Sequence, residues 1–105
     1  MTQQERLEVV QSLQHLLADT VVLKQKVHAY HWNVTGPMFH QLHELFQDIY
    51  EDLEDAIDEI GEQIRILDEY PQPALGDYVE QSVLEEAQNP PPSALEMVRK
   101  LYEDN

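Results

Sequence analysis

Nine apolar residues recur along one stretch of this chain at gaps of three or four: Met38, Leu42, Leu45, Ile49, Leu53, Ala56, Ile60, Ile64 and Leu67. A repeat close to 3.6 puts them on one face of an α-helix, predicted over about Pro37–Asp68. Upstream, Val9, Leu13, Leu16, Thr20, Leu23, Val27 and Tyr30 repeat the pattern, with only Thr20 polar and no Gly or Pro between. That spacing predicts a second amphipathic helix over about Gln3–Asn33. Only Asn33-Val34-Thr35-Gly36-Pro37 separates the two. A link this short between long helices makes an antiparallel hairpin. Thr35 is placed to cap the second helix, and Pro37 suits its first turn. Gly61 sits inside that helix at a cost of about 1 kcal/mol relative to Ala. It reads as a point where a neighbouring backbone comes close.

Tyr70-Pro71-Gln72-Pro73-Ala74-Leu75-Gly76 stops the second helix, and a short helix or turn follows over Asp77–Ala87. Asn89-Pro90-Pro91-Pro92 is a firm breaker. Ser93 and Glu96, three apart, form a capping box that opens a third helix about three turns before Asn105. The fold class is therefore all-α, one domain over 1–105. An antiparallel helical hairpin supplies the first half of a four-helix bundle, and the chain ends early in the third helix. The apolar faces need partners from a second chain or from residues beyond Asn105, so the domain is expected to be C-terminally incomplete.

Six Lys and Arg face 21 Asp and Glu, for a formal charge of −15. Nucleic acid and anionic membrane both require clustered cations, so the balance disfavours them and suits metal ions or a basic partner. With no Cys, disulfides, thiolate metal sites and Cys nucleophiles are excluded. No apolar run approaches the ~20 residues of a membrane span, and MTQQERLEVV has no signal-peptide core, so a cytoplasmic protein is expected. Three Ser with no nucleophile elbow argue against triad hydrolysis. Carboxylates strung along a helix rarely flank a sugar cleft.

Five His in so acidic a chain invite a metal reading: His15, His28, His31, His40 and His43. His15 stands alone and reads as a surface or packing residue. His28 and His31 are three apart, as are His40 and His43, so each pair can share a helix face. The second helix also carries a polar stripe of His43, Gln47, Glu51, Glu54, Asp58 and Glu62 within a sector of roughly 100°. Asp58 and Glu62, four apart, can grip one cation together. The same stripe also reads as the solvated face of an acidic helix. Trp32 reads as core.

Helix rise constrains any metal site. His31 and His43 lie about 5–10 Å from the interhelical turn, Asp58 and Glu62 about 30–35 Å from it, at about 1.5 Å per residue. One hairpin cannot unite the two sets. Two hairpins related by a two-fold axis can, the His pair of one meeting the carboxylate pair of the other.

The stretch His28-Ala29-Tyr30-His31-Trp32-Asn33-Val34-Thr35-Gly36-Pro37-Met38-Phe39-His40-Gln41-Leu42-His43 resembles the signature of the Dps family of ferritin-like proteins. Asp58-Glu59-Ile60-Gly61-Glu62-Gln63-Ile64-Arg65 resembles its second half. The resemblance covers essentially the whole chain. It implies a ferritin-like four-helix subunit assembled with two- and three-fold symmetry into a hollow dodecamer. It also implies Fe(II) binding between subunits, oxidation of that iron by hydrogen peroxide, and storage of ferric mineral, which protects against oxidative stress. The family's iron ligands carry over to His31 and His43 of one chain and to Asp58 and Glu62 of its neighbour. Glu44, Asp48 and Glu51 read as mineral-nucleation sites or as solvated side chains.

Three departures stand out. Many relatives carry an acidic residue where Gln47 stands, which bears on a second iron per site. The family's subunit completes its third and fourth helices, which bears on dodecamer formation. DNA-binding relatives use Lys-rich termini, whereas here Arg6 is the only cation before Lys24 and the end is Glu103-Asp104-Asn105, so no direct DNA binding is expected. The alternative to iron chemistry is a non-catalytic helical dimerisation module or an inactive fragment of a miniferritin. A Zn-responsive protein would use the same ligands, because Zn often binds such sites more tightly than Fe(II).

Overall fold

The structure, a computed structural model, describes residues 1–104. Helix α1 spans Gln3–Asn33, α2 Phe39–Ile66, α3 Leu75–Gln81 and α4 Ala94–Asp104. Among the described residues there is no strand. The helices build an elongated body of 54 × 22 × 21 Å.

The first helix begins on a feature that the Ser93 rule also detects. Thr2 accepts a hydrogen bond from the Glu5 N–H while the Glu5 carboxylate accepts from the Thr2 N–H, a reciprocal capping box. Hydrogen-bonding to Thr2 holds the Glu5 carboxyl below its usual range. At the far end of α1, Gly36 adopts φ +103°, and Phe39 N–H bonds to the Gly36 carbonyl. That turn absorbs Pro37, so α2 starts at Phe39, two residues later than expected. Met38, rather than Thr35, is its N-cap, without a side-chain bond.

Helix α2 ends in a Schellman arrangement. Glu69 N–H reaches the Ile64 carbonyl and Asp68 N–H the Arg65 carbonyl, with Asp68 at φ 65°. The short helix is confined to Leu75–Gln81, because at Ser82 the chain turns extended and is tied back to α1. The Asp19 carboxylate accepts from Ser82 Oγ at 2.7 Å and from Val83 N–H at 3.0 Å. The helix expected as third is thus fourth in chain order. Ser93 Oγ accepts from Glu96 N–H as expected, while the Glu96 carboxylate turns to Arg99.

Pairings at both ends establish that α1 and α2 run antiparallel. Arg6 donates to the Leu67 carbonyl, and Gln14 clamps Tyr70 and Gln72, while His31 meets His43. Two apolar clusters lie between them. Val27, Tyr30, Val34 and Phe46 pack with Met97 of α4, and Val10 and Leu17 pack with Ile64. The buried face of α1 is turned by one residue at its N-terminal end: Val10 and Leu17 are buried, whereas Val9 and Leu16 are 40% and 50% exposed. The reason is that this end of α1 packs on α2 and also on α3, so burial follows two flanking partners rather than one central stripe. Thr20 is buried with its hydroxyl bonded to the Leu16 carbonyl. Trp32 is 58% exposed and not core. A Cβ on Gly61 would meet only Pro71 Cγ, at 3.9 Å, so no backbone among the described residues demands the glycine. No helix among the described residues is long and apolar enough to cross a membrane.

Candidate metal centre

The turn delivers His31, in the last turn of α1, against His43, in the second turn of α2. Their rings stack at 3.7 Å between centroids and 17° between planes. His31 Nδ1 lies 2.7 Å from the His43 carbonyl, and His43 Nδ1 lies 2.7 Å from the His31 carbonyl. A carbonyl can only accept, so each Nδ1 must carry the proton. In a neutral ring that leaves Nε2 with an open lone pair, the form that ligates metals. The His31 carbonyl belongs to the final turn of α1, where no intrahelical donor is available. His43 therefore caps α1 through Nδ1, and its Nε2 takes no part in that bond. His31 is 8% exposed, so its orientation is set by packing.

Sequence spacing offered helix-face pairs His28/His31 and His40/His43, and helix rise put His31 and His43 together near the turn. The structure pairs His31 with His43 across the hairpin. His28 turns to Tyr50, stacking at 4.1 Å and 18°. Burial chiefly, then Lys24 and His31, lower the His28 pKa, opposed by Glu54. His40 is exposed and lies 3.2 Å from Glu44. His15 is exposed, as expected.

Asp58 and Glu62 are exposed on α2. At about 1.5 Å per residue they lie roughly 22 Å and 28 Å along the helix from His43. Among the described residues no group of three or more His, Asp or Glu side chains comes together. One chain thus brings the two histidines together and keeps the two carboxylates apart from them. Within the polar stripe Gln47 donates to Glu51, and Glu54 pairs with Lys24 at 3.2 Å, so part of that face is already engaged. Glu44, Asp48 and Glu51 are exposed.

Sequence reasoning missed Tyr50 and Phe39. Tyr50 meets His31 edge to face at 5.3 Å and 64°, and Phe39 stacks on His43 at 5.1 Å. The signal was present: Phe39 is four residues before His43 and Tyr50 seven after it, all on one side of α2.

A hairpin of two long helices with a third packed beside it, and inward imidazoles near the turn, defines a ferritin-like helical protein. Residues 10–105 match the family model described as a ferritin-like domain. The chain is 37% identical over 105 residues to an uncharacterised low temperature-induced protein from Nostoc, covering all of this chain and 59% of that relative. The crystal structure of a Dps protein from Bacillus brevis superposes with a TM-score of 0.92 at 34% identity, covering 99% of this chain and 69% of that one. A Dps protein from Vibrio cholerae O1, described as a member of a broad superfamily of ferritin-like diiron-carboxylate proteins, gives 0.91 at 28% identity, covering 96% and 63%. This chain belongs to the ferritin-like family, in its Dps branch. It spans 59% of the length of the Nostoc relative.

Proposed function

We propose that this chain binds Fe(II) as a substrate, oxidises it with hydrogen peroxide and helps hold the ferric product, in the cytoplasm, as part of a homo-oligomer. The observation that carries the reading is the reciprocal His31–His43 pairing, which commits both Nδ1 atoms to carbonyls and leaves both Nε2 atoms as ligands. Asp58 and Glu62 of a second copy complete the site in a two-fold pair, because no third ligand reaches the histidines within one chain. Imidazole and carboxylate together suit Fe(II), and carboxylates favour the harder Fe(III) product. Each Fe(II) gives up one electron. The peroxide O–O bond takes two electrons and, with two protons, leaves as two waters. His31 and His43 hold the incoming ion, and Asp58 and Glu62 offset the charge it gains. Membership of a family whose Vibrio cholerae member is described as diiron-carboxylate supports iron as the metal. The charge of −15 supports a cationic substrate and argues against direct DNA contact.

The test is anaerobic Fe(II) oxidation on adding peroxide, with the parent and with Asp58→Ala. The parent accelerates the reaction saturably, and Asp58→Ala loses the fast phase with its helicity intact. Equal rates would sink the assignment. The second reading, a non-catalytic dimerisation module, draws on the exposure of Leu7, Val9, Leu16 and Leu45. It predicts that Fe(II) raises the melting temperature no more than Mg(II) does, whereas a site-binding ion must raise it further.

A further inference from the structure

We infer that Tyr50 is a positioning residue for the His31 imidazole, acting through a continuous run of packed rings; the inference rests on the metal reading of His31 and His43. The run is Trp32, His28, Tyr50, His31, His43 and Phe39. Successive centroids lie 4.1, 4.1, 5.3, 3.7 and 5.1 Å apart. Tyr50 is its junction, because it crosses from α2 to touch both His28 and His31. His28 and His31 themselves stand 6.3 Å apart.

An imidazole turns about a broad, roughly two-fold torsion that exchanges the nitrogen edge for the carbon edge. The hydrogen bond to the His43 carbonyl selects one setting of His31, and stacking on His43 restricts another motion of the ring. A stacked ring can still slide and swivel in its own plane. Tyr50, its ring steeply inclined at 64° to His31 and 5.3 Å away between centroids, occupies the space that such motion needs. Tyr50 is fixed in turn by near-parallel stacking on His28 at 18°. Phe39 backs His43 in the same way, at 24°. A ligand whose ring is already set loses less freedom on binding, which is how outer-shell groups raise metal affinity. The aromatic ring, not the hydroxyl, supplies the restraint, so Phe should replace Tyr at this position and Leu should not.

The experiment compares parent, Tyr50→Phe and Tyr50→Leu by two readouts. Long-range proton–nitrogen spectra of the metal-free chain report which nitrogen of His31 carries the proton. Calorimetry with Zn(II) reports affinity. Parent and Tyr50→Phe show a single Nδ1–H form. Tyr50→Leu shows averaging between forms and about tenfold weaker Zn(II) binding, the lower edge of typical outer-shell effects. A Tyr50→Leu protein that keeps one Nδ1–H form and parental affinity overturns the inference. Should Tyr50→Leu lose its helicity, His28→Ala decides instead, since it removes the stacking partner and leaves Tyr50 in place. Averaging at His31 then supports the inference, and an unchanged spectrum refutes it. If the parent neither binds Zn(II) nor oxidises Fe(II), the functional reading fails, and the spectra still decide the role of Tyr50.

Discussion

Lys26 is the most consequential charge in the interior. It is 3% exposed, in the C-terminal third of α1, and its Nζ lies 2.7 Å from Asp104 Oδ2 of α4, with side chains 4% and 14% exposed. The two partners are not equivalent. Removing Asp104 strands a cation in the core, for which about 3–5 kcal/mol is expected. Removing Lys26 leaves a carboxylate closer to solvent, which rehydrates, so about 1.5–3 kcal/mol is expected, the scale of one hydrogen bond to a charged group. Asp104→Leu should therefore be worse than Lys26→Met. The double variant should recover most of the loss, because an apolar pair removes both desolvation costs. With an m-value near 2 kcal/mol/M, Asp104→Leu should lower the urea midpoint by roughly 1.5–2.5 M. Circular dichroism measures this, and amide exchange along α4 separates local release of that helix from global unfolding. Burial first, then Asp104 and Glu85, raise the Tyr30 pKa. In Asp104→Leu it should fall part of the way back and stay above its ordinary value. Equal losses in the two single variants, or a double variant as unstable as Asp104→Leu, would refute the account.

Gly61→Ala should stabilise the single chain by about 1 kcal/mol, the helix-propensity difference; a thermal melt reads it, and a loss would reveal a close neighbour from another copy. Asp68→Gly should stabilise by roughly 1 kcal/mol, because Asp68 occupies a left-handed C′ position at φ 65° that costs a side-chain-bearing residue about 1–2 kcal/mol; chemical denaturation checks it. Glu5 has its pKa lowered by Thr2, so its contribution is present above the unfolded-state value and is lost as pH falls through the folded-state value. Amide exchange in the first turn of α1 should accelerate across that acid window in the parent and stay flat in Glu5→Gln.

Local chemistry made much of this legible. The bounds of α1 follow from an unbroken 3.6-residue repeat, and the Gly36-Pro37 turn makes the hairpin unavoidable. Thr2 and Glu5 obey the same spacing rule as Ser93 and Glu96 and were equally readable. Illegible positions are those whose environment is set by other elements. The exposure of Leu16 and the burial of Leu17 depend on where α2 and α3 lie, since Leu17 packs with Ile64 and beside Tyr78. Trp32 looks like core by composition, yet it caps an aromatic run at the surface. That His31 and His43 share the turn end was legible from helix rise; that their rings stack and exchange carbonyl bonds needed the angle at which the turn returns the chain. The separation of the histidines from Asp58 and Glu62 was legible from helix rise alone.

Charge links the site to assembly. Arg6, Lys24, Lys26 and Arg99 are each paired with a carboxylate of their own chain, and Arg65 lies over Tyr70 while donating to the Glu69 carbonyl. Among the described residues only Lys100, of the six Lys and Arg, has neither an ion pair nor such a contact, so little cationic character is left over for a partner. On the two-chain reading, joining two copies therefore concentrates a formal −15 from each, and it does so where Asp58 and Glu62 of one chain approach the histidines of the other. Neutral imidazoles do nothing to relieve that repulsion. A divalent ion at the junction does, because it neutralises two charges at the point of closest approach, where added salt screens least. Metal binding and pairing then favour each other by linkage. On that reading the acidity of α2, which on its own looks like an ordinary solvated face, couples the pairing of two chains to the cation between them.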